Sequence, residues 1–367
     1  MKAGSGLVQG RAADPALAER AVRAAMERAG LDHPEAVLLY LSAEFARDPQ
    51  PAVSAAARAA GCVQVAGCTA AGVFTDEDWV LDAPAAAALV LGDGAGLRAA
   101  HHLREPGDDR HPVLSLAAPN ALDMTWIEAG GPRFGGVSGD ATGQGPYSVW
   151  CAGRVQESGR CELELTGVNP CLDVSQGVRA ITRPAAIDQV VDHDVLGLGG
   201  VPALASLVRD LPLSLRAPDR IPTHLLMAGI PYGAAENAVA EGRFHLLPVV
   251  AVDAAEQSVT VAGRLRPGLD LFWALRQPQA AELDMNAMLD RLDADRAAPP
   301  AFGLMFPCMG RGPSFYGGQD KDIRAVARRY PGMPFAGFYG NGEIAHVDGA
   351  NRLLQYSVVL ALGEAHV

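Results

Sequence analysis

The chain has 367 residues, 49 % of them hydrophobic and 20 % charged, and its 30 basic against 42 acidic side chains leave a net charge of −12. That length exceeds what one compact core usually holds, so two domains or one two-lobed body are expected, and the ordinary composition excludes bulk disorder and collagen. The acidic balance is wrong for holding a phosphate backbone, no apolar run reaches the roughly 18 residues of a membrane helix, and residues 1–6 lack a secretory core; the expectation is a cytoplasmic protein with no nucleic-acid partner and no membrane span.

From Asp14, DPALAERAVRAAMERAG joins an N-cap, a proline at the first helical position, helically spaced apolar residues and a closing Gly30, which predicts a helix. AVLLYLS (36–42) is a continuous apolar run, the pattern of a strand buried on both faces. A second helix, PAVSAAARAAG (51–61), leads to a short buried strand, VQVAG, and VLSLAAPN (113–120) reads as another strand. YSVWCAG, CELELTGV and QGVRAI, separated by turn signals such as ESGR, predict an antiparallel meander. VPALASLVRDL (201–211) is a helix, and the polar, proline-flanked SLRAPDRIPTH after it places a boundary near 214–222, dividing the chain into 1–218 and 219–367. Beyond it LLMAGIP, FHLLPVVAVD and SVTVAG read as strands, LDMNAMLDRLDADRAAP as a helix closed by prolines and LLQYSVVLALG as a last strand. The fold class expected is α/β with α+β character, two lobes of mixed sheets with flanking helices.

A repeat emerges when strand ends are aligned. CVQVAGCTAAGVF (62–74), GPRFGGVSGDAT (131–142) and MPFAGFYGNGEI (333–344) share an apolar-x-Gly start and a second glycine four or five residues on. In the first and third a strand and a helix precede the motif; in the second about a dozen residues separate strand from motif, too few for an ordinary crossover helix. Glycine at such a place permits positive φ and lets backbone approach a ligand or another strand without an intervening Cβ.

Six cysteines form no C-x-x-C pair and have no histidine at zinc spacing, so no metal site is expected, and the ten-residue spacing of Cys151, Cys161 and Cys171 reads as small buried side chains on successive strands. Only Lys2 and Lys321 are lysines, and neither follows a phosphate-binding glycine loop.

Taken together, VAGCTAAG, FGGVSGD, SQGVRAITRPAAIDQVVDHDVLGLGGVPALASL, and CMGRG followed by PFAGFYGNGEI and Asn351 resemble the FIST family over nearly the whole chain, with an N-terminal and a C-terminal FIST domain in tandem. The resemblance implies a non-enzymatic sensory domain for signal transduction that binds a small polar metabolite such as an amino acid and acts through a separate partner. Some members resemble haem-based nitric oxide sensors that act on a histidine kinase, which makes haem the one cofactor to consider. Two departures stand out: Val73 occupies a position where the family commonly carries an acidic residue, and the middle unit lacks its usual helix.

For the site itself, parallel pairing of AFGLMFP with FAGFYGNG would bring Cys308, Arg311 and Glu343 to one sheet edge, where open α/β sheets bind ligands. Arginine and glutamate there could grip an amino acid's carboxylate and ammonium, or simply pair with each other. Asn341, Gly342, Asn351, Cys68, Thr69, Gly136 and Asp140 complete the candidate ligand-binding set, with Asp140 also suited to capping its own turn. An enzyme is the alternative, with Cys308 as nucleophile and His346 beside Glu343 as its base. A haem ligand would have to come from His193, His224, His245 or His346, the histidines near apolar stretches, whereas His101 and His102 sit in a polar, exposed segment.

Overall fold

The computed structural model describes residues 1–100, 112–216 and 221–365. The His101–His102 segment and the boundary expected between 218 and 219 lie outside the described residues. The chain forms two compact units, residues 1–175 with 285–367, and residues 176–284.

The first unit begins with β1 (Lys2–Gln9) and α1 (Pro15–Ala29), the latter capped by Asp14 and closed by Gly30 at φ 60° as its sequence predicts. It continues through β2 (Ala36–Ser42), α2 (Gln50–Ala60), β3 (Val65–Ala70), β4 (Gly72–Thr75), β5 (Trp79–Leu81), β6 (Ala85–Gly92) and β7 (Gly96–Ala99). Next come β8 (Val113–Ala117), α3 (Met124–Glu128), β9 (Arg133–Val137), β10 (Val149–Cys151), β11 (Arg154–Val155), β12 (Arg160–Thr166) and β13 (Val168–Ser175). The second unit holds β14 (Val178–Ala180), β15 (Ala185–Val191), β16 (Asp194–Leu198), β17 (Val201–Pro202), α4 (Ala203–Asp210), β18 (Leu226–Pro231), α5 (Ala235–Ala240), β19 (Phe244–Asp253), β20 (Ser258–Val261) and β21 (Asp270–Arg276). The first unit resumes within α6 (Pro278–Asp295), at Met285, and continues with β22 (Phe302–Pro307), α7 (Lys321–Arg329), β23 (Phe335–Tyr339), β24 (Glu343–Val347), β25 (Ala350–Leu354) and β26 (Val358–Ala365). The fold is mixed α/β, as expected.

Three six-stranded sheets build the first unit, ordered β1-β6-β2-β3-β10-β11, β7-β12-β8-β9-β24-β25 and β13-β26-β22-β23-β4-β5. All three follow one plan: an outer strand, an antiparallel neighbour, a parallel pair joined by a helix, and a hairpin on the far side. The repeat seen in the sequence is therefore a threefold one, with α2, the five-residue α3 and α7 as its crossovers. Each hairpin is exchanged. β4–β5 follows β3 in the chain but sits on β23; β24–β25 follows β23 but sits on β9; β10–β11 comes after β9 but sits on β3. YSVWCAG and CELELTGV are thus not a meander, because β10, β12 and β13 lie in three different sheets. Alternation shows which face of a strand is buried, not which strand lies beside it.

The first glycine of each motif lies inside a strand rather than in a loop. A Cβ at Gly67 would sit 1.7 Å from the Leu39 carbonyl oxygen, one at Gly135 2.0 Å from that of Ser115, and one at Gly337 1.8 Å from that of Met305. Each glycine is the register partner of the residue it would strike, so the parallel strands approach too closely at this point for any side chain. Close approach also sets α1 on its sheet, since a Cβ at Gly4 or Gly6 would come within 2.3 Å of the Ala25 or Ala21 carbonyl oxygen.

Residues from all three sheets share one core containing Tyr40, Phe134, Phe306 and Phe338. Phe306 and Phe338 meet edge to face at 5.4 Å, and Tyr40 packs 5.0 Å from Phe338. LLQYSVVLALG is not one strand: its first residues end β25, Tyr356 turns at φ 59°, and β26 starts at Val358. In the second unit α4 lays Leu204 and Leu207 on an antiparallel sheet around Trp273, whose indole N–H donates to Ser206 Oγ at 2.8 Å. Among the described residues no helix is long and apolar enough to cross a membrane, and no cluster of His, Cys, Asp and Glu suits a metal.

The glycine contacts make a stability prediction. Gly67→Ala, Gly135→Ala and Gly337→Ala each cost about 3 kcal/mol or more, whereas Gly94→Ala, at φ 91° with open space around it, costs about 1 kcal/mol. Urea unfolding of the four variants checks the contrast.

Candidate functional site

β22 and β23 run parallel and remain in register to their carboxyl ends, where Cys308 bridges to Gly340. The chain then turns through Asn341 and Gly342 into β24, whose first residue is Glu343. The expected convergence therefore occurs: the Cys308 thiol lies beside the Glu343 carboxyl, and the Arg311 charge acts on that carboxyl. Gly136 is the register partner of Glu343 on β9, and Val137 exchanges backbone hydrogen bonds with Asn341 and Gly342 at 3.0 and 2.9 Å. Thr69 joins through Ser138, whose hydroxyl donates to the Thr69 carbonyl oxygen at 2.5 Å. Gly136, Asn341, Gly342 and Glu343 thus meet where the third repeat's hairpin crosses onto the second sheet, with Thr69 one residue farther on.

Glu343 is 0 % exposed. Its Oε2 accepts from Ser357 Oγ at 2.5 Å and from the Ser357 N–H at 3.2 Å, while Oε1 has no hydrogen-bond partner. Burial pushes its pKa up to about 8 against the opposing pull of Ser357, Cys308 and Arg311. Ser357 escaped the sequence reading because it lies in the turn hidden within LLQYSVVLALG, and that turn also accepts the Cys308 N–H at the Ser357 carbonyl oxygen, 2.9 Å away.

Register makes the position of Glu343 informative. Glu343 pairs with Gly136, the residue after the close-packed glycine of the second repeat. By the same criterion its counterparts are Val73, opposite Phe338, and Val149, opposite Cys68. Both valines are 0 % exposed in the shared core. The fold thus places valine at this point twice and a carboxyl once, although burying a carboxyl costs free energy that a valine gains.

Arg311 is also buried, and its partner is not Glu343. Its Nε and Nη2 contact the two carboxylate oxygens of Asp322 at 2.9 and 3.2 Å, and Nη1 and Nη2 donate to the Ser175 carbonyl and hydroxyl oxygens at 2.8 Å. The bidentate fork that a ligand carboxylate would use is taken by Asp322, which also accepts from the Tyr316 hydroxyl at 2.9 Å. Next to it, Asp320 caps α7 through the Ile323 N–H at 2.8 Å and accepts from Tyr339 at 2.7 Å. Burial and the charge of Asp322 raise Asp320 to about 6. An arginine needs a carboxylate within reach of both faces of its fork, and the start of α7 supplies one eleven residues later.

The remaining candidates lie apart. Cys68, adjacent to Thr69 on β3, takes the other face of the strand and points into the shared core, where burial pushes its thiol pKa up. Asp140 turns onto its own loop, accepting from Thr142 Oγ1 at 2.8 Å and the Gly145 N–H at 2.9 Å; burial would raise its pKa, but these bonds hold it below the ordinary value. Asn351 ties the opposite end of the β24–β25 hairpin, accepting the Arg133 N–H at 2.9 Å and bonding His346 at 3.1 Å. His346 is exposed and three residues along β24 from Glu343, hence on the opposite face and roughly 10 Å away. That geometry removes it as a base for Cys308.

Three of the four candidate histidines lie in solvent, where no apolar pocket surrounds an axial ligand, and His245 is half-buried on β19. His193 lies exposed in a turn, bonded to the Gly263 carbonyl oxygen, and His224 and His346 are exposed as well. The described cavities, about 480 Å³ beside Thr182, Arg183 and Val239 and about 290 Å³ beside Arg23, Glu27 and Leu31, are lined by none of the four histidines, nor by Cys308, Arg311 or Glu343.

Two predictions follow from the burial of these charges. Glu343 is raised from its ordinary 4.5 to about 8, so the folded chain binds the extra proton between those values: stability falls as pH rises through the window and levels off above about 8. Asp320 adds a slope of the same sign only below about 6, so pH 6 to 8 isolates Glu343. Glu343→Gln should flatten that slope; urea unfolding at pH 6, 7 and 8 checks it, and a variant that tracks the parent would place the titration elsewhere. Separately, Arg311→Ala and Asp322→Ala should each cost about 3–5 kcal/mol by stranding a buried charge, measured by thermal or urea unfolding.

The FIST N domain matches residues 35–200 and the FIST C domain residues 203–346. Both compact units take residues from both segments, so the tandem seen in sequence is interleaved in the fold. The uncharacterized protein Rv0628c of Mycobacterium tuberculosis is 28 % identical over 373 residues, covering 95 % of this chain and 95 % of the relative. The uncharacterized protein Mb0898c of Mycobacterium bovis is 28 % identical over 229 residues, 62 % of this chain and 59 % of that protein. With the two domains matched in tandem along most of its length, this chain belongs to the FIST family, whose domains are associated with sensing in signal transduction.

Proposed function

We propose that this protein is a non-enzymatic sensor that binds a small polar metabolite bearing an ammonium group, an amino acid or a related amine, at Glu343, and signals through a separate partner. The observation that carries this reading is the Glu343 carboxyl itself, buried where the other two repeats place valine and left with one oxygen unpartnered. Buried polar atoms are almost always satisfied, and an unsatisfied one in a folded protein calls for an explanation. An ammonium donating to Oε1 would satisfy it and stabilise the ionised carboxylate. Arg311 acts in this reading as a positioning residue: held by Asp322 and Ser175, it fixes the loop after β22 and lends positive charge without gripping the ligand. Because the carboxyl lies out of solvent, entry requires the loops over Glu343 to open locally.

The test joins binding to proton release. Amino acids and simple primary amines should raise the thermal midpoint of the parent protein, and calorimetry in buffers of different ionisation enthalpy at pH 7 should detect close to one proton released per ligand bound. Glu343→Gln should stay folded and lose both responses. A variant that keeps the thermal shift, or a parent that responds to no ammonium compound, overturns the assignment.

A further inference from the structure

None of the six cysteines is in a disulfide, and Cys151 and Cys161 border the same core. Val149, two residues before Cys151 on β10, is buried in the shared core, and Cys151 on the same face of that strand packs against this core half-exposed. On β12 every second residue is buried, and Cys161, Leu163 and Leu165 form the inward row of the neighbouring sheet. The two strands, from different sheets, pack against each other and turn both thiols toward the same core.

We propose that Cys151 and Cys161 form a peroxide-responsive dithiol that closes reversibly to a disulfide bridging the first and second sheets. The Cys151 thiolate attacks one oxygen of hydrogen peroxide; an S–O bond forms, the O–O bond breaks, and the departing hydroxide takes up the thiol proton as water. The Cys161 sulfur then attacks the resulting Cys151 sulfenic acid; an S–S bond forms, the S–O bond breaks, and the hydroxyl leaves as water with the Cys161 proton. Two thiols lose two electrons, and one peroxide becomes two waters.

The asymmetry of the pair sets this order. Cys151 is the partner that small solutes can reach, and the hydrogen bond from Cys161, helped by the Ala152 N–H, lowers its thiol pKa, whereas the bond to Cys151 and burial raise Cys161. Thiolate character and exposure together select the cysteine that oxidises first, and a neighbouring thiol resolves it. Cys171, the third member of the ten-residue series, is pushed up to about 11 by burial and by Glu364, Asp295 and Asp173, which disfavours its thiolate.

The full chain, treated with hydrogen peroxide, blocked with iodoacetamide and digested with trypsin without reductant, should yield peptide 134–154 linked to peptide 161–179. Because the second peptide also carries Cys171, the digestion is repeated on Cys171→Ser, which should keep the link. Dithiothreitol should reverse it, Cys151→Ser and Cys161→Ser should abolish it, and Cys161→Ser should trap a dimedone adduct at Cys151. No link in the parent chain at peroxide doses that oxidise Cys62, or fragmentation of the linked parent peptides that joins Cys151 to Cys171, overturns the proposal without depending on how any variant folds.

Discussion

The first unit depends on the distance between the strands of each parallel pair. At Leu39 and Gly67, Ser115 and Gly135, and Met305 and Gly337, a carbonyl oxygen occupies the volume a Cβ would need. Beyond those points each second strand ends and a hairpin departs for the next sheet, so that three sheets lock around one core. Hairpin exchange also makes the repeats interdependent. A strand such as β10 has its chain neighbours in one repeat and its hydrogen-bond neighbours in another.

The crossing of hairpins concentrates polar groups in the interior. Backbone N–H and C=O groups at the end of β23 are satisfied by β9, which brings Glu343 inward at a position where register alone calls for an apolar residue. Desolvation then raises the proton affinity of the carboxyl, and the Arg311 guanidinium that opposes it is already committed to Asp322. Two buried acids, Asp322 and Glu343, thus have opposite fates. Asp322 keeps a bidentate cation, whereas Glu343 has two bonds from one serine and an unpartnered oxygen. The thiols of Cys151 and Cys161 border the same interior, contributed by strands of the first and second sheets.

Much of this was legible in the residues. Continuous apolar runs on either side of a helix gave β2, β3, β22 and β23 their place as buried parallel strands, and the glycine motif identified the repeat. The convergence of Cys308 with Glu343 followed from that parallel pairing. The alanine-rich β6 and the glycine-containing β1 carried no strand signal, since alanine and glycine are poor strand formers. They form strands because their small side chains let α1 lie directly on the sheet. The ion pair of Arg311 was misread because a buried guanidinium takes the carboxylate its fold brings nearest, and the turn from Gly312 to Asp320 that carries α7 back over it has no periodic signature.

The local elements, the repeated glycine motif and the family are written in short segments, because helical spacing, apolar runs and glycine placement are local properties. Which sheet each hairpin joins, which acid holds Arg311, and that Glu343 occupies a position filled elsewhere by valine were decided only in the tertiary structure. Those outcomes depend on contacts between residues far apart in the chain, which no local pattern of side chains records.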